Sequence, residues 1–252
     1  MKTPSWQLQT PVNAVVFDCD GTLSTIEGID ELAKNNGVSS TVAHLTAEAM
    51  GKAGINPELY QRRLDLVRPR QEQVIALGHH YFANQVPDAD TVVQLLKRLN
   101  KAVYLVSAGL YPAVKIFGEL LQIPRENIFA VDIQFDALGN FFDFERTSPL
   151  VNNQGKRDIV NQLKSQHPAI IHIGDGLNDY VTHDLVTRFI GYGGAFYREN
   201  IAALCQYYIR TASMCSLLPL VLTQNECKEL ETDERMLYEK GVTAIQNGMV
   251  TV

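Results

Sequence analysis

Two aspartates, Asp18 and Asp20, follow a short apolar segment in the sequence Phe17-Asp-Cys-Asp-Gly-Thr22. Two carboxylates that leave a strand into a glycine-containing loop, two residues apart, can point into the same space. One can attack phosphorus if the charge of the incoming phosphate is neutralised, and the other can protonate the leaving oxygen and later deprotonate water. By itself, the pair could equally cap a helix or bind a structural cation.

Ser107 and Lys156 are two further side chains that suit an anion. Ser107 lies in Val106-Ser-Ala-Gly109, after a second apolar segment. Its hydroxyl and the N–H of Ala108 could hold phosphate oxygens, or Ser107 could cap the helix predicted to begin near Tyr111. Lys156 lies near the predicted N-terminus of a helix, an unfavourable position for a cation in the helix dipole. Binding an anion explains that position, and a solvated surface lysine is the common alternative.

A second pair of aspartates, Asp175 and Asp179, lies in the glycine-rich sequence Ile173-Gly-Asp-Gly-Leu-Asn-Asp179, after another apolar segment. Carboxylates are hard oxygen ligands that suit Mg²⁺, which binds a few of them together with water and substrate phosphate. The alternative is a simple turn in which an aspartate caps the following helix.

The elements that must position these residues alternate between strand and helix. Short apolar segments bounded by turn residues predict buried strands, and a 3.6-residue period predicts a crossover helix at Tyr111–Leu121. The alternation predicts an α/β fold with a doubly wound parallel sheet, which binds ligands at the carboxyl ends of its strands. The predicted strands are Ala14–Phe17, Val103–Val106, Ala169–Ile173 and Phe189–Tyr192.

Residues 26–86 interrupt this alternation with a helical pattern, which predicts a small helical cap domain inserted after the first strand. The core domain then comprises residues 1–25 and 87–224, and residues 225–252 form a C-terminal helical extension that could be a dimer element, a packing helix or a tail. The predicted cap helices are Gly28–Asn36, Thr41–Met50, Pro57–Val67 and Arg70–His80. Within the core, Phe129–Phe135 and Phe141–Phe144 predict a β-hairpin with Gly139 in its turn.

The composition is that of an ordinary globular enzyme. Among the 252 residues, 46% are hydrophobic and the formal net charge is −6, which argues against broad nucleic-acid binding. The apolar stretch Leu217–Leu222 is interrupted by Pro219 and is too short to cross a bilayer. The sequence shows no secretory signal and no paired cysteine motif, and it therefore predicts a cytoplasmic protein with free thiols. We expect it to act on a small molecule, and it could form a homodimer.

The order of the motifs resembles the signature of the haloacid dehalogenase superfamily: Asp-x-Asp-Gly-Thr, then Ser, then Lys, then Gly-Asp-Gly-x-Asn-Asp. The resemblance covers about residues 12–210. It implies a Rossmann-like sheet with a cap, with Asp18 as the nucleophile and Asp20 as the acid and base. It also implies Mg²⁺ held by Asp18, the main-chain carbonyl of Asp20, and Asp175, with Asp179 in support.

Residues 26–86, called the helical segment below, narrow the resemblance to one family of the superfamily, the phosphoserine phosphatases. The stretches that carry the likeness are Glu27-Gly-Ile-Asp-Glu-Leu-Ala-Lys34, Ala49-Met-Gly51 and Arg63-Leu64. The likeness implies that Glu27 contacts a substrate ammonium, that the planar guanidinium of Arg63 binds the substrate carboxylate, and that Met50 lines the pocket. From the residues alone, Glu27 would cap a helix, Arg63 would be solvated and Met50 would pack in the core.

One position departs from that family, which commonly has Ser-Gly-Gly where this chain has Ser107, Ala108 and Gly109. The Ala108 N–H survives, but its methyl group could crowd a phosphate. The predicted function is hydrolysis of O-phosphoserine, a step of serine biosynthesis, through an aspartyl-phosphate on Asp18. Two alternatives stay open: a phosphatase or phosphotransferase for another small phosphoester, for example with homoserine as acceptor, and a non-catalytic phosphate-binding regulatory protein.

Overall fold

A computed structural model describes the backbone of residues 4–50 and 55–252, together with the side chains of these residues except 46–50. Its strands are β1 (Ala14–Phe17), β2 (Ala102–Leu110), β3 (Ile128–Val131), β4 (Ile133–Phe135), β5 (Phe141–Phe144), β6 (Ile170–Gly174), β7 (Arg188–Tyr192), β8 (Tyr207–Ile209) and β9 (Val250–Thr251). The main sheet has the order β3-β2-β1-β6-β7-β8-β9, and its neighbours are parallel except β8 and β9. The predicted α/β fold with a doubly wound parallel sheet is confirmed.

The central strand β1 explains why the first motif follows a continuous apolar run. All four of its residues are fully buried, as expected for a parallel strand with neighbours on both sides and helices over the sheet. Phe17 pairs in register with Leu105 of β2 and Ile173 of β6. The residues that follow these three strands therefore meet at one edge of the sheet.

Some helices begin at residues with a clear local cause. In α3, for example, the side chain of Asn56 accepts a hydrogen bond from the N–H of Leu59 and Pro57 occupies the first turn. The helices are α1 (Gly28–Asn35), α2 (Ser39–Met50), α3 (Pro57–Val67), α4 (Gln71–Ala83), α5 (Ala89–Arg98), α6 (Tyr111–Leu120), α7 (Gly155–Leu163), α8 (Leu177–Tyr180), α9 (Glu199–Ala202), α10 (Leu218–Val221), α11 (Gln224–Lys228) and α12 (Thr232–Gln246). No helix in the described part of the chain is long and apolar enough to cross a bilayer.

Helix α4 ties the helical segment to the sheet layer because it packs closely on α6. A Cβ at Gly78 would lie 2.6 Å from the Cβ of Ile116 and 2.8 Å from the carbonyl oxygen of Ala113. The helix also runs three residues beyond the predicted end at His80. Its last turn therefore reaches from the helical segment onto the core.

The predicted β-hairpin is correct only in its second half. The segment predicted as one strand, Phe129–Phe135, is divided at Asp132, so that β3 joins the main sheet beside β2 while β4 pairs with β5. Both halves have the same β-prone composition. A change of partner strand leaves no trace in side-chain periodicity, because that period reports which face is buried and not which strand lies alongside.

The C-terminal region is more closely integrated than a helical extension. It contains two helices: the Thr223 side chain caps α11, and the Glu234 side chain accepts from the N–H of Glu231 at the start of α12. Strand β9 then adds an antiparallel edge to the sheet. The ammonium of Lys101 forms a buried ion pair with Glu226 and donates to the carbonyl of Val12 at 3.2 Å. This pair connects α11 to the start of β1.

Replacing Lys101 by Met should lower the free energy of unfolding by about 3 kcal/mol, because Glu226 would stay buried without its cation. Equilibrium unfolding in urea measures the loss. The matched control is Lys115→Met, which breaks the surface pair with Glu119 and should cost less than about 1 kcal/mol. Equal small losses for both variants would contradict a stabilising role for the buried pair.

Candidate active site

The carboxyl ends of β1, β2 and β6 bring together three of the predicted site residues. Asp18 follows β1, and its N–H donates to the carbonyl of Ile173 at 3.0 Å. Ser107 lies near the end of β2, and Asp175 follows β6 directly. All three side chains are buried, with exposures of 5%, 1% and 1%, so the site lies within the sheet edge and not on an open surface.

Lys156 is the cation at the centre of these carboxylates. Its ammonium lies 2.6 Å from Oδ1 of Asp18 and 2.6 Å from Oδ1 of Asp179, with only 2% of the residue exposed. Burial works to lower the pKa of Lys156, but the charges of Asp179 and Asp18 outweigh it and raise that pKa above its ordinary value. The lysine is therefore charged, and it is not the solvated surface residue of the alternative interpretation.

Asp18, Asp175 and Asp179 form a cluster that fits a divalent cation. One carboxylate oxygen from each lies within 4.8 Å of the others. Burial, followed by the charge of Asp179, raises the pKa of Asp18 well above its usual range, and burial raises the pKa of Asp175 to about 6. Lys156 instead holds the pKa of Asp179 at about 2 against the effect of burial. Three hard oxygen ligands that are short of positive charge match the preference of Mg²⁺ and similar cations.

Gly21 allows the two aspartate loops to approach each other. Its φ is +69°, in the left-handed region, and a Cβ there would lie 2.6 Å from Oδ2 of Asp175. Any other residue at this position would be strained and would push Asp175 away. The glycine after the second aspartate of the first motif is therefore needed to assemble the cluster.

Asp20 lies apart from the cluster and accepts hydrogen bonds on both oxygens. Oδ1 accepts from the hydroxyl of Tyr81 at 2.7 Å and from the N–H of Gly28 at 2.6 Å, and Oδ2 lies 3.4 Å from the Ser107 hydroxyl. Burial raises the pKa of Asp20, although these hydrogen bonds partly oppose it. A raised pKa makes the protonated form of Asp20 more accessible than that of an ordinary aspartate, which suits proton transfer.

These residues face a pocket under α1 and α3. Its polar lining includes Asp18, Asp20, Glu27, Arg63, Ser107 and Lys156, and apolar residues such as Ile29 and Leu64 complete the wall. Ala108 also lines the pocket, and its carbonyl accepts from the hydroxyl of Tyr60 at 3.1 Å. Met50 ends α2, but its side chain lies outside the described residues.

Arg63 is buried, in contrast to the solvated residue expected from its helix pattern alone. It is 8% exposed, and its Nε has no hydrogen-bond partner among the described residues. Its guanidinium carbon lies 5.6 Å from the ring centre of Tyr60. A buried cation without an ion-pair partner among the described residues is energetically costly, and an anion beside it would lower that cost.

Arg198, in the loop after β7, is a site residue that the sequence analysis missed. Its guanidinium donates to Oδ2 of Asp175 at 2.7 and 2.9 Å and to Oε1 of Glu27 at 3.2 Å. The arginine thereby connects the start of the helical segment to the aspartate cluster. A detectable signal existed, since an arginine shortly after a predicted parallel strand lies at the same sheet edge as the aspartates.

His172 and Tyr81 were also missed, and neither gives a sequence signal. His172 is buried within β6, with Nδ1 2.7 Å from Oγ1 of Thr182 and Nε2 3.4 Å from Oδ1 of Asp179. In the sequence, His172 lies within an apolar run, and nothing there marks it as a site residue. Tyr81 lies one residue beyond the predicted end of its helix, and only the packing of α4 on α6 directs its hydroxyl towards Asp20.

Comparison with known proteins identifies relatives over most of the chain. Residues 12–182 match the family model of haloacid dehalogenase-like hydrolases. The chain is 35% identical to human phosphoserine phosphatase over 78% of its own length and 88% of that protein, and 35% identical to the chloroplastic phosphoserine phosphatase of Arabidopsis thaliana over 79% and 68%. A phosphoserine phosphohydrolase-like protein from Francisella tularensis superposes with a TM-score of 0.72, at 25% identity over 79% of this chain and 95% of that one.

Divalent-cation binding should weaken as the pH falls below about 6. Asp175 has a raised pKa of about 6, so below that pH it is increasingly protonated and a cation must displace the proton. The apparent affinity for Mn²⁺, measured from the electron paramagnetic resonance signal of the free ion, should fall about tenfold between pH 7 and pH 5. It should change little between pH 7 and pH 8, and an affinity that is constant from pH 5 to pH 7 would contradict the assignment.

Proposed function

The chain belongs to the phosphoserine phosphatases among the haloacid dehalogenase-like hydrolases, and on this basis we propose that it hydrolyses O-phosphoserine to serine and phosphate with Mg²⁺. The buried Arg63 is the observation that favours O-phosphoserine as the substrate. A guanidinium held in the pocket without a carboxylate partner among the described residues is suited to the carboxylate of a phosphorylated amino acid. A sugar phosphate offers no such group.

Glu27 supplies the complementary charge for the substrate ammonium. It lines the same pocket as Arg63, and its Oε1 is already 3.2 Å from Arg198. Burial and the charge of Asp20 raise the pKa of Glu27 well above its usual range, so a cationic ligand beside it is favourable. We propose that residues 26–86 act as the cap, since this segment contributes both Glu27 and Arg63 to substrate recognition.

Asp18 acts as the nucleophile in the proposed mechanism. A carboxylate oxygen of Asp18 attacks phosphorus, and the bond from phosphorus to the seryl oxygen breaks as the aspartyl-phosphate forms. Lys156 keeps its contact with Oδ1 of Asp18 and, with the hydroxyl of Ser107 and the N–H of Ala108, stabilises the charge on the transferring group. Mg²⁺ bound by Asp18, Asp175 and the carbonyl of Asp20, with Asp179 in support, would neutralise further phosphate charge.

Asp20 carries out both proton transfers. As the first bond breaks, Asp20 donates its proton to the departing seryl oxygen, which leaves as the serine hydroxyl. It then removes a proton from the water that attacks the aspartyl-phosphate, and phosphate leaves as Asp18 is regenerated. Its raised pKa fits a group that must be protonated in one step and ionised in the next.

We propose a cytoplasmic location, which the state of the cysteines supports. Cys19, Cys205, Cys215 and Cys227 are all free, which supports a reducing environment and a cytoplasmic enzyme. The homodimer considered from the sequence stays a prediction.

Release of phosphate from O-phosphoserine in the presence of Mg²⁺ is the direct test. The wild-type protein should turn over, and Asp18→Asn should lose at least about 10⁴-fold in kcat because an amide cannot form the covalent intermediate. Adding homoserine to the same assay and looking for phosphohomoserine distinguishes transfer from hydrolysis. A wild-type protein that binds phosphoserine without releasing phosphate would instead favour the non-catalytic alternative.

Arg63→Ala should raise the KM for O-phosphoserine about 10- to 100-fold, with a small effect on kcat, because a charged hydrogen-bonding partner contributes about 1.5–3 kcal/mol. The KM for phosphoethanolamine, which lacks the carboxylate, should change less than threefold. The matched control is Arg62→Ala, since Arg62 is the exposed neighbour on the same helix and its loss should change neither substrate. Equal effects of Arg63→Ala on both substrates would refute the carboxylate assignment.

A further inference from the structure

Tyr81 contacts the proposed acid and base directly, although it belongs to none of the motifs. It lies in the last turn of α4 and is 1% exposed. Its hydroxyl donates to Oδ1 of Asp20 at 2.7 Å. Since a tyrosine hydroxyl has an ordinary pKa of about 10, it stays a hydrogen-bond donor at neutral pH whether Asp20 is ionised or protonated on its other oxygen.

The two oxygens of Asp20 have different surroundings. Oδ1 accepts from both Tyr81 and the N–H of Gly28, at 2.7 and 2.6 Å. Oδ2 faces Ser107, whose hydroxyl lies at 3.4 Å, and the space beside Gly109, where a Cβ would be 3.2 Å away. Oδ1 is therefore occupied by two donors, and Oδ2 is the oxygen that points to the phosphate-binding residues.

Tyr81 is held firmly enough to fix that orientation. Its ring packs against Phe117 of α6 at a centroid distance of 5.7 Å, and its carbonyl accepts from the Ser24 hydroxyl at 3.1 Å. A Cβ on Gly28 would lie 1.9 Å from the Tyr81 oxygen, so only glycine leaves room for the hydroxyl between α1 and Asp20. Core packing and Gly28 at the start of the helical segment thus both hold the Tyr81 hydroxyl in its hydrogen bond with Asp20.

We propose that Tyr81 is a positioning residue that anchors Oδ1 of Asp20 and thereby reserves Oδ2 for proton transfer. The inference rests on the proposed function. Oδ2–H gives its proton to the leaving oxygen while the electron pair of the breaking P–O bond passes to that oxygen. Oδ2 later takes a proton from the attacking water. Without the Tyr81 hydroxyl, the carboxyl can rotate so that the protonated oxygen no longer faces the leaving group.

The leaving group provides the test, because an alkoxide must be protonated as it departs and 4-nitrophenolate need not be. Tyr81→Phe keeps the ring and removes only the hydroxyl. It should lower kcat/KM for O-phosphoserine at least tenfold and for 4-nitrophenyl phosphate less than threefold. Inhibition by inorganic phosphate should stay within twofold of wild type, since the phosphate contacts are unchanged.

Tyr104→Phe is the matched control, because Tyr104 is also buried and its hydroxyl lies 2.8 Å from Nε2 of His167, away from the carboxylates. It should change kcat/KM less than twofold for both substrates. Equal losses on both substrates for Tyr81→Phe, or no loss on O-phosphoserine, would overturn the inference.

A double-mutant cycle with Asp20→Asn gives a second measurement that needs only O-phosphoserine. If Tyr81 acts through Asp20, the change Tyr81→Phe should cost less than twofold in the Asp20→Asn background, and additive losses would contradict the proposal. A wild-type protein that releases phosphate from neither substrate would refute the proposed function itself, and that outcome is distinct from a failure of the Tyr81 assignment.

Discussion

The ion pairs of Lys156 with Asp18 and Asp179 are the interaction on which the rest of the site depends. Each is 2.6 Å long, and all three side chains are almost completely buried. Without the lysine, two carboxylates would lie close together where water cannot solvate them, which is costly. Lys156 does not balance the whole cluster, since the pKa values of Asp18 and Asp175 are still raised. The remaining deficit of positive charge favours a divalent cation, and such a cation would reduce the repulsion between the carboxylates and a phosphate group.

The helical segment contributes side chains to the pocket and to the surroundings of Asp20. Glu27 and Arg63 line the pocket, while Gly28 and Tyr81 hold one oxygen of Asp20. The close packing of α4 on α6 fixes the last turn of this segment against the core. In the proposed mechanism, the same segment therefore orients the acid and base and carries the residues that recognise the substrate. Arg198 adds a second connection between that element and the aspartate cluster.

The sequence predicted the parallel sheet and the residues at its edge for a definite physical reason. A central parallel strand is buried on both faces, so β1 is uniformly apolar and β6 is interrupted only by the buried His172, and the polar residues that follow these strands must lie at the carboxyl edge. The hairpin prediction failed at Asp132 because two strands with the same composition pair with different neighbours. The position of Arg198 shortly after a predicted strand was a weak indication of a site residue, whereas nothing in the sequence gave such an indication for Tyr81 or His172.

The sequence by itself determined which groups are available for chemistry and in which order they follow the strands: Asp18 and Asp20, then Ser107, Lys156, Asp175 and Asp179. Local periodicity and turn residues carry that information, since each depends only on a few neighbouring positions. Only the tertiary structure decided that Lys156 and Arg63 are buried, that Arg198 joins Glu27 to Asp175, and that Tyr81 reaches Asp20. Tyr81 and Asp20 lie 61 positions apart in the chain, and Arg198 and Glu27 lie 171 positions apart. Such contacts arise from the packing of helices against the sheet, which no local pattern specifies.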